Sequence, residues 1–66
     1  MSVLKEKYKH LIGKRIRIVA MPDDPKESEY IGREGEVDFI DDGGILHGTW
    51  GGLGLIPETD SWVVLD

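Results

Sequence analysis

From Gly32 to Trp50 the chain reads Gly-Arg-Glu-Gly-Glu-Val-Asp-Phe-Ile, then Asp-Asp-Gly-Gly, then Ile-Leu-His-Gly-Thr-Trp. Val37 and Phe39 alternate with Glu36 and Asp38, the two-residue period of a strand with one buried face. The turn that follows supplies residue types that tolerate positive φ, and a second apolar run comes straight after it. A sharply turned hairpin set among other short strands points to a small β-barrel. It does not point to a reaction.

Size sharpens this constraint. With 66 residues the chain makes one domain, and a fold so small buries only about 60% of its unfolded surface. It has no Cys, so neither a disulfide nor a thiolate metal site can stabilise it, and packing must do so. No run approaches the roughly 20 apolar residues of a membrane helix, and no signal-peptide pattern opens the chain. The expectation is a soluble, cytoplasmic domain with no membrane partner.

The strands flanking the hairpin follow the same logic. Lys14 to Val19 alternates, with Ile16 and Ile18 facing a core and Arg15 and Arg17 facing out, and this first strand ends near Met21. Pro22-Asp-Asp-Pro25 breaks it, because proline cannot donate to a ladder, and Lys26 to Tyr30 reads as a surface loop. Gly32 and Gly35 bracket the start of the second strand, expected over Glu36 to Ile40, with the third over Ile45 to Trp50.

An inward Trp50 puts Leu46 and Gly48 on the same face and His47 and Thr49 outward. Gly48 then leaves a gap that a large neighbour, Trp50 or Trp62, must cross. Gly51-Gly52 turns the chain into a fourth strand over Leu53 to Ile56. Pro57 to Asp60 makes a tight turn, and Trp62 to Leu65 forms a fifth strand. At the other end, Leu4, Tyr8, Leu11 and Ile12 share one face of a short helix, with Lys5, Lys7 and Lys9 opposite, Ser2 as cap and Gly13 as stop. The expected fold is mainly β: a small five-stranded SH3-like barrel over 13–66 with a short N-terminal helix or arm over 1–12. An OB-type barrel is the alternative, but it needs a longer chain and a helix between its later strands.

Several motifs stand in a fixed order: Met21 with Asp24-Pro25, Gly32-x-x-Gly35-x-Val37, Asp41-Asp42-x-Gly44, His47-x-x-Trp50, Gly52-Leu53-Gly54-Leu55-Ile56-Pro57 and Asp60-Ser61. From Gly13 onward the chain resembles a family of very small bacterial proteins, domain of unknown function 4314, found largely in Gram-positive bacteria and their mobile elements. The resemblance implies a compact β-rich fold and no activity. The chain departs from the pattern at Gly48, where a β-branched residue is usual, and at Gly51, where Asp commonly follows the Trp. It departs again in Lys-Glu-Ser-Glu-Tyr, which replaces a Pro-rich loop. Partner identity therefore does not carry over if that loop binds.

Candidate chemistry is sparse. Asp41-Asp42-Gly43-Gly44 has the look of a cation loop, but Ca²⁺ needs six to eight oxygens, and Asp bonding its own turn accounts for the residues. His47 has no second ligand at metal spacing and reads as a solvent-facing strand residue. Asp60, Ser61 and His47 name the types of a hydrolytic triad, but Ser61 lacks a nucleophile elbow. No catalytic residue, metal or cofactor is therefore expected, and the chain reads as no enzyme. Trp50 and Trp62 are read as core, which leaves Tyr30 as the exposed aromatic.

Charge sorts the remaining functions. Residues 1–17 hold six cations against Glu6 alone, +5, whereas residues 18–66 hold Lys26 and Arg33 against twelve acids, −10. The expectation is a binding or adaptor module for a protein partner. Its groove lies between the Pro22 to Ile31 loop and the turn after the third strand. Tyr30 supplies contact area there, and Asp23, Asp24, Glu27 and Glu29 select a basic or polar partner. The alternative is nucleic-acid binding through Lys14, Arg15 and Arg17, by analogy with KOW-type modules, which the net charge disfavours. An acidic decoy that mimics DNA is a third possibility, for which the charge density is ordinary.

Overall fold

The computed structural model describes residues 3–65. Helix α1 (Val3–Tyr8) runs into a 3₁₀ turn at Lys9–Leu11, followed by β1 (Arg15–Ala20), a one-turn helix α2 (Glu27–Tyr30) and β2 (Glu34–Ile40). Strands β3 (Leu46–Gly48), β4 (Gly51–Leu55) and β5 (Ser61–Val64) complete it. All five strands belong to one antiparallel sheet in the order β4-β3-β2-β1-β5. The sheet has β4 and β5 as its edges and is not closed.

Strand β2 holds the sheet together. Its first half, Glu34 to Glu36, pairs with β1, and its second half, from Val37 to Ile40, pairs with β3. The chain then passes from one edge of the sheet to the other in a single turn after β4. The Asp60 amide donates to the Ile56 carbonyl at 2.7 Å, and the Asp60 carboxylate accepts from the Ile56 amide at 2.8 Å. Strands lie about 4.8 Å apart in a sheet, so a turn that short can join its edges only if the sheet is strongly curled. Irregularities in register supply bends, between Ile18 and Ala20 on β1 and between Val37 and Phe39 on β2.

The concave side holds the core: Leu11, Ile16, Ile18, Met21, Val37, Ile40, Leu46, Trp50 and Leu55, with Tyr8, Tyr30, Leu53 and Trp62 packed against it. Ile16 and Ile18 face inward and Arg15 and Arg17 outward, as the alternation requires. Trp50 is buried, though it sits in the turn after β3 and not within the strand, and its indole N–H donates to the Leu53 carbonyl at 2.7 Å. A Cβ at Gly48 would fall on the Trp50 ring and the Glu36 carbonyl oxygen, so Trp50 is the large neighbour that crosses the gap. Trp62 is half-buried, edge-on to Tyr8 with centroids 6.3 Å apart. Among the described residues no buried side-chain N or O lacks a hydrogen-bond partner, and no helix is long and apolar enough to cross a membrane.

Four expectations need correction. Phe39 is not an inward partner of Val37. An extra residue in β2 opposite β3 breaks the period, so Asp38 and Phe39 both face solvent and Ile40 turns inward. Ile12 is exposed, because the helix tightens to 3₁₀ after Tyr8 and leaves Ile12 extended at ψ 127°, beyond the buried Leu11. The Lys26 to Tyr30 loop contains helix α2.

Strand limits form the fourth. β2 begins at Glu34, β3 is confined to Leu46–Gly48, β4 starts at Gly51 and β5 at Ser61. Gly13 ends the helical segment at φ +87°. The Ser2 cap and the side chains of Leu4 and Lys5 lie outside the described residues.

Candidate functional site

Local carboxylate bonds shape the segment between β1 and α2. Asp24 accepts from the Lys26 amide at 2.8 Å, and Glu27 reaches back to accept from the Met21 amide at 2.8 Å. The Met21 side chain is fully buried, so Glu27 pins the loop to the point where β1 leaves the core. Asp24 and Glu27 are thus half-buried supports of the loop, whereas Asp23 and Glu29 are exposed on its surface.

The loop meets the turn after β3 through one side chain that the sequence reading passed over. Arg33 lies over the Tyr30 ring, 4.3 Å from its centroid, and its Nη1 donates to the Trp50 carbonyl at 2.9 Å. A Cβ at Gly51 would come within 3.0 Å of Tyr30 and 3.1 Å of Arg33. Tyr30, Arg33 and the Trp50–Gly51 backbone therefore form a continuous bridge between the two walls of the expected groove. Tyr30 is half-buried beneath the guanidinium. The exposed aromatic is Phe39, at 53%. The signal for Arg33 was its isolation: with Lys26, it is the whole cationic complement of residues 18–66.

Asp41 explains its own turn. One carboxylate oxygen accepts from the Gly43 and Ile45 amides at 2.9 and 3.1 Å, and the other lies 2.9 Å from His47 Nε2. His47 first, then those amides, hold the Asp41 carboxyl below the ordinary aspartate value. The triad types are not assembled: His47 bonds Asp41, Asp60 is spent on the Ile56 amide, and Ser61 is exposed at the start of β5. Among the described residues no group of three or more His, Cys, Asp or Glu side chains could hold a metal ion.

Lys7, Arg15 and Arg17 are each answered by an acid. Arg17 donates through Nε and Nη2 to Glu34 at 3.0 and 2.7 Å, and Arg15 lies 3.6 Å from the same carboxylate. Arg17, foremost, keeps the Glu34 carboxyl below its usual range. Lys7 pairs with Glu58 at 3.1 Å, and Lys14 is exposed. Arg15 and Arg17 thus share one face of β1, while Lys14 precedes that strand and bonds Val37 through its backbone.

No curated protein and no solved structure matches the chain. The model of the family described as Domain of unknown function (DUF4314) matches residues 1–65, nearly the full length, and the chain belongs to that family.

Proposed function

We propose that this chain is a non-enzymatic binding module of the SH3-like type, working in the cytoplasm on a protein partner. Five short antiparallel strands, a bent β2 shared between two halves and a one-turn link between the sheet edges support a barrel-like curl. The observation that carries the binding reading is the Tyr30–Arg33–Trp50 bridge. It fixes an acidic loop against the turn after β3 without involving Asp23 or Glu29 in the support. A loop held this way presents its charge at little further ordering cost, and exposed carboxylates there select a basic or polar partner by complementarity.

The experiment is affinity capture with the parent chain and with Asp23→Lys/Glu29→Lys, which leaves Asp24 and Glu27 at their structural posts. A partner retained by the parent and lost by the folded double variant is the expected result. Equal retention of that partner by both would remove the loop from the binding surface.

A further inference from the structure

Among the described residues Phe39 is the most exposed large apolar side chain, at 53%, and the β2 bulge is what turns it outward. Bulges re-aim side chains, and this one produces a defined platform. The Phe39 ring stacks on His47 with centroids 4.7 Å apart and planes 13° from parallel. His47 in turn is anchored by Asp41 at 2.9 Å. Beside it, Ile45 and His47 lie across bare backbone at Gly54, where a Cβ would meet Ile45 at 2.5 Å and His47 at 3.3 Å. The result is a shelf of Phe39 on β2, His47 on β3 and Ile45 just before it, lying against the Gly54 backbone of β4.

Its surroundings are acidic. Asp38 shares the bulge and faces solvent with Phe39, Glu36 projects outward two residues earlier, and Asp41 and Asp42 follow in the turn. Two cations border this ring on the β1 side: Lys14, whose carbonyl accepts from the Val37 amide, and Arg15, the register partner of Glu36, which leaves Asp38 as the carboxylate next to Phe39. A flat aromatic face ringed by carboxylates suits a planar cation. A guanidinium can stack on the ring and fork to a carboxylate at the same time, which an ammonium does less well. A nucleobase can stack on an aromatic ring too, but its phosphates would approach four carboxylates.

We propose that this face is a second docking surface, separate from the Pro22 to Ile31 loop, for an arginine-bearing segment of a protein, with the arginine over Phe39 and paired to Asp38. The inference does not depend on the loop reading.

The test is a ¹⁵N–¹H NMR titration of the full chain with three probes: the blocked peptide Gly-Arg-Gly-Arg-Gly, the same peptide with citrulline for arginine, and an eight-nucleotide oligothymidylate. The arginine peptide should shift the amides of Asp38, Phe39, Ile45, His47 and Gly54, and the citrulline peptide should not. Phe39→Ala should weaken binding about 2- to 5-fold, the range of an exposed cation–π contact. Asp38→Asn, a change at an exposed position, should also weaken it and serves if the first variant is poorly folded.

Absence of shifts at millimolar arginine peptide would overturn the proposal, as would equal binding by Phe39→Ala or equal shifts with citrulline. Shifts confined to Asp23 through Tyr30 would also overturn it, while leaving the loop site standing. Shifts on the shelf with oligothymidylate alone would replace the protein partner by a nucleic acid.

Discussion

Two side-chain positions show how single residues set this fold. Gly48 interrupts an apolar strand face, and the sequence requires something to lie across it. Trp50 does, from two residues further on, and the intended use of the gap was therefore legible. Gly48→Ala forces a methyl group into the Trp50 ring and a backbone oxygen. The expected loss is about 1–3 kcal/mol, the usual cost of overpacking, read from urea melts; unchanged stability would mean the ring can move aside. Asp41 is the second case. Its depressed carboxyl means that the unfolded chain takes up the proton more readily than the folded one. The turn's contribution is thus complete above the ordinary aspartate value of about 4, and it is lost as pH falls through the lower folded-state value. Asp41→Asn should be less stable than the parent at neutral pH, with the difference shrinking as pH drops below about 4. A pH-independent gap in urea midpoints would contradict this account. That the Asp served the turn was legible from Asp-Asp-Gly-Gly. Its bond to His47 was not, because a cross-strand partner depends on register.

At the scale of elements, strand existence was readable and strand phase was not. Alternation places Ile16 and Ile18 correctly, since β1 is regular where they stand. In β2 the same rule places Val37 correctly and Phe39 wrongly. An inserted residue shifts every later side chain to the other face, and a bulge leaves no mark in a pattern as short as Val-Asp-Phe-Ile. Two apolar residues in a row, Phe39-Ile40, were the available hint. Without Asp38 the run Glu36, Val37, Phe39, Ile40 regains a strict two-residue period, with Val37 and Ile40 inward and Phe39 outward. The Asp38 deletion should therefore fold and keep Phe39 accessible, as dispersed NMR spectra and solvent-paramagnet broadening at Phe39 would report. Unfolding, or a buried Phe39, would show that the phase is set elsewhere. Helix α1 failed in a similar way at its end. The 3.6-residue spacing reaches Leu11, which is buried, but tightening to 3₁₀ carries Ile12 off the apolar face.

At the scale of the whole molecule, the charge division of the sequence is partly undone by folding. Residues 1–17 form a +5 segment beside a −10 remainder, which suggests a basic face for a polyanion. Folding instead sets Glu34 against Arg15 and Arg17, and Glu58 against Lys7. None of these pairs is local in sequence, so no reading of charge runs finds them. Exposed pairs of this kind add little to stability, but each occupies a cation that phosphate contact would need. Affinity for nucleic acid rests on such cations displacing counterions, and the acidic remainder opposes approach at long range. Fluorescence anisotropy with labelled single- and double-stranded DNA and RNA should therefore show no binding by the parent, even at low salt. Glu34→Gln takes away the carboxylate that holds Arg17. If pairing is what silences this face, the variant should gain weak binding whose logarithm falls with the logarithm of salt at a slope of about −1, the value for one added phosphate contact. Tight, salt-sensitive binding by the parent, abolished by Lys14→Glu/Arg15→Glu/Arg17→Glu in a folded variant, would reverse the conclusion. The basic stripe would then be the functional face, and Glu34 would be a group that polyanions displace.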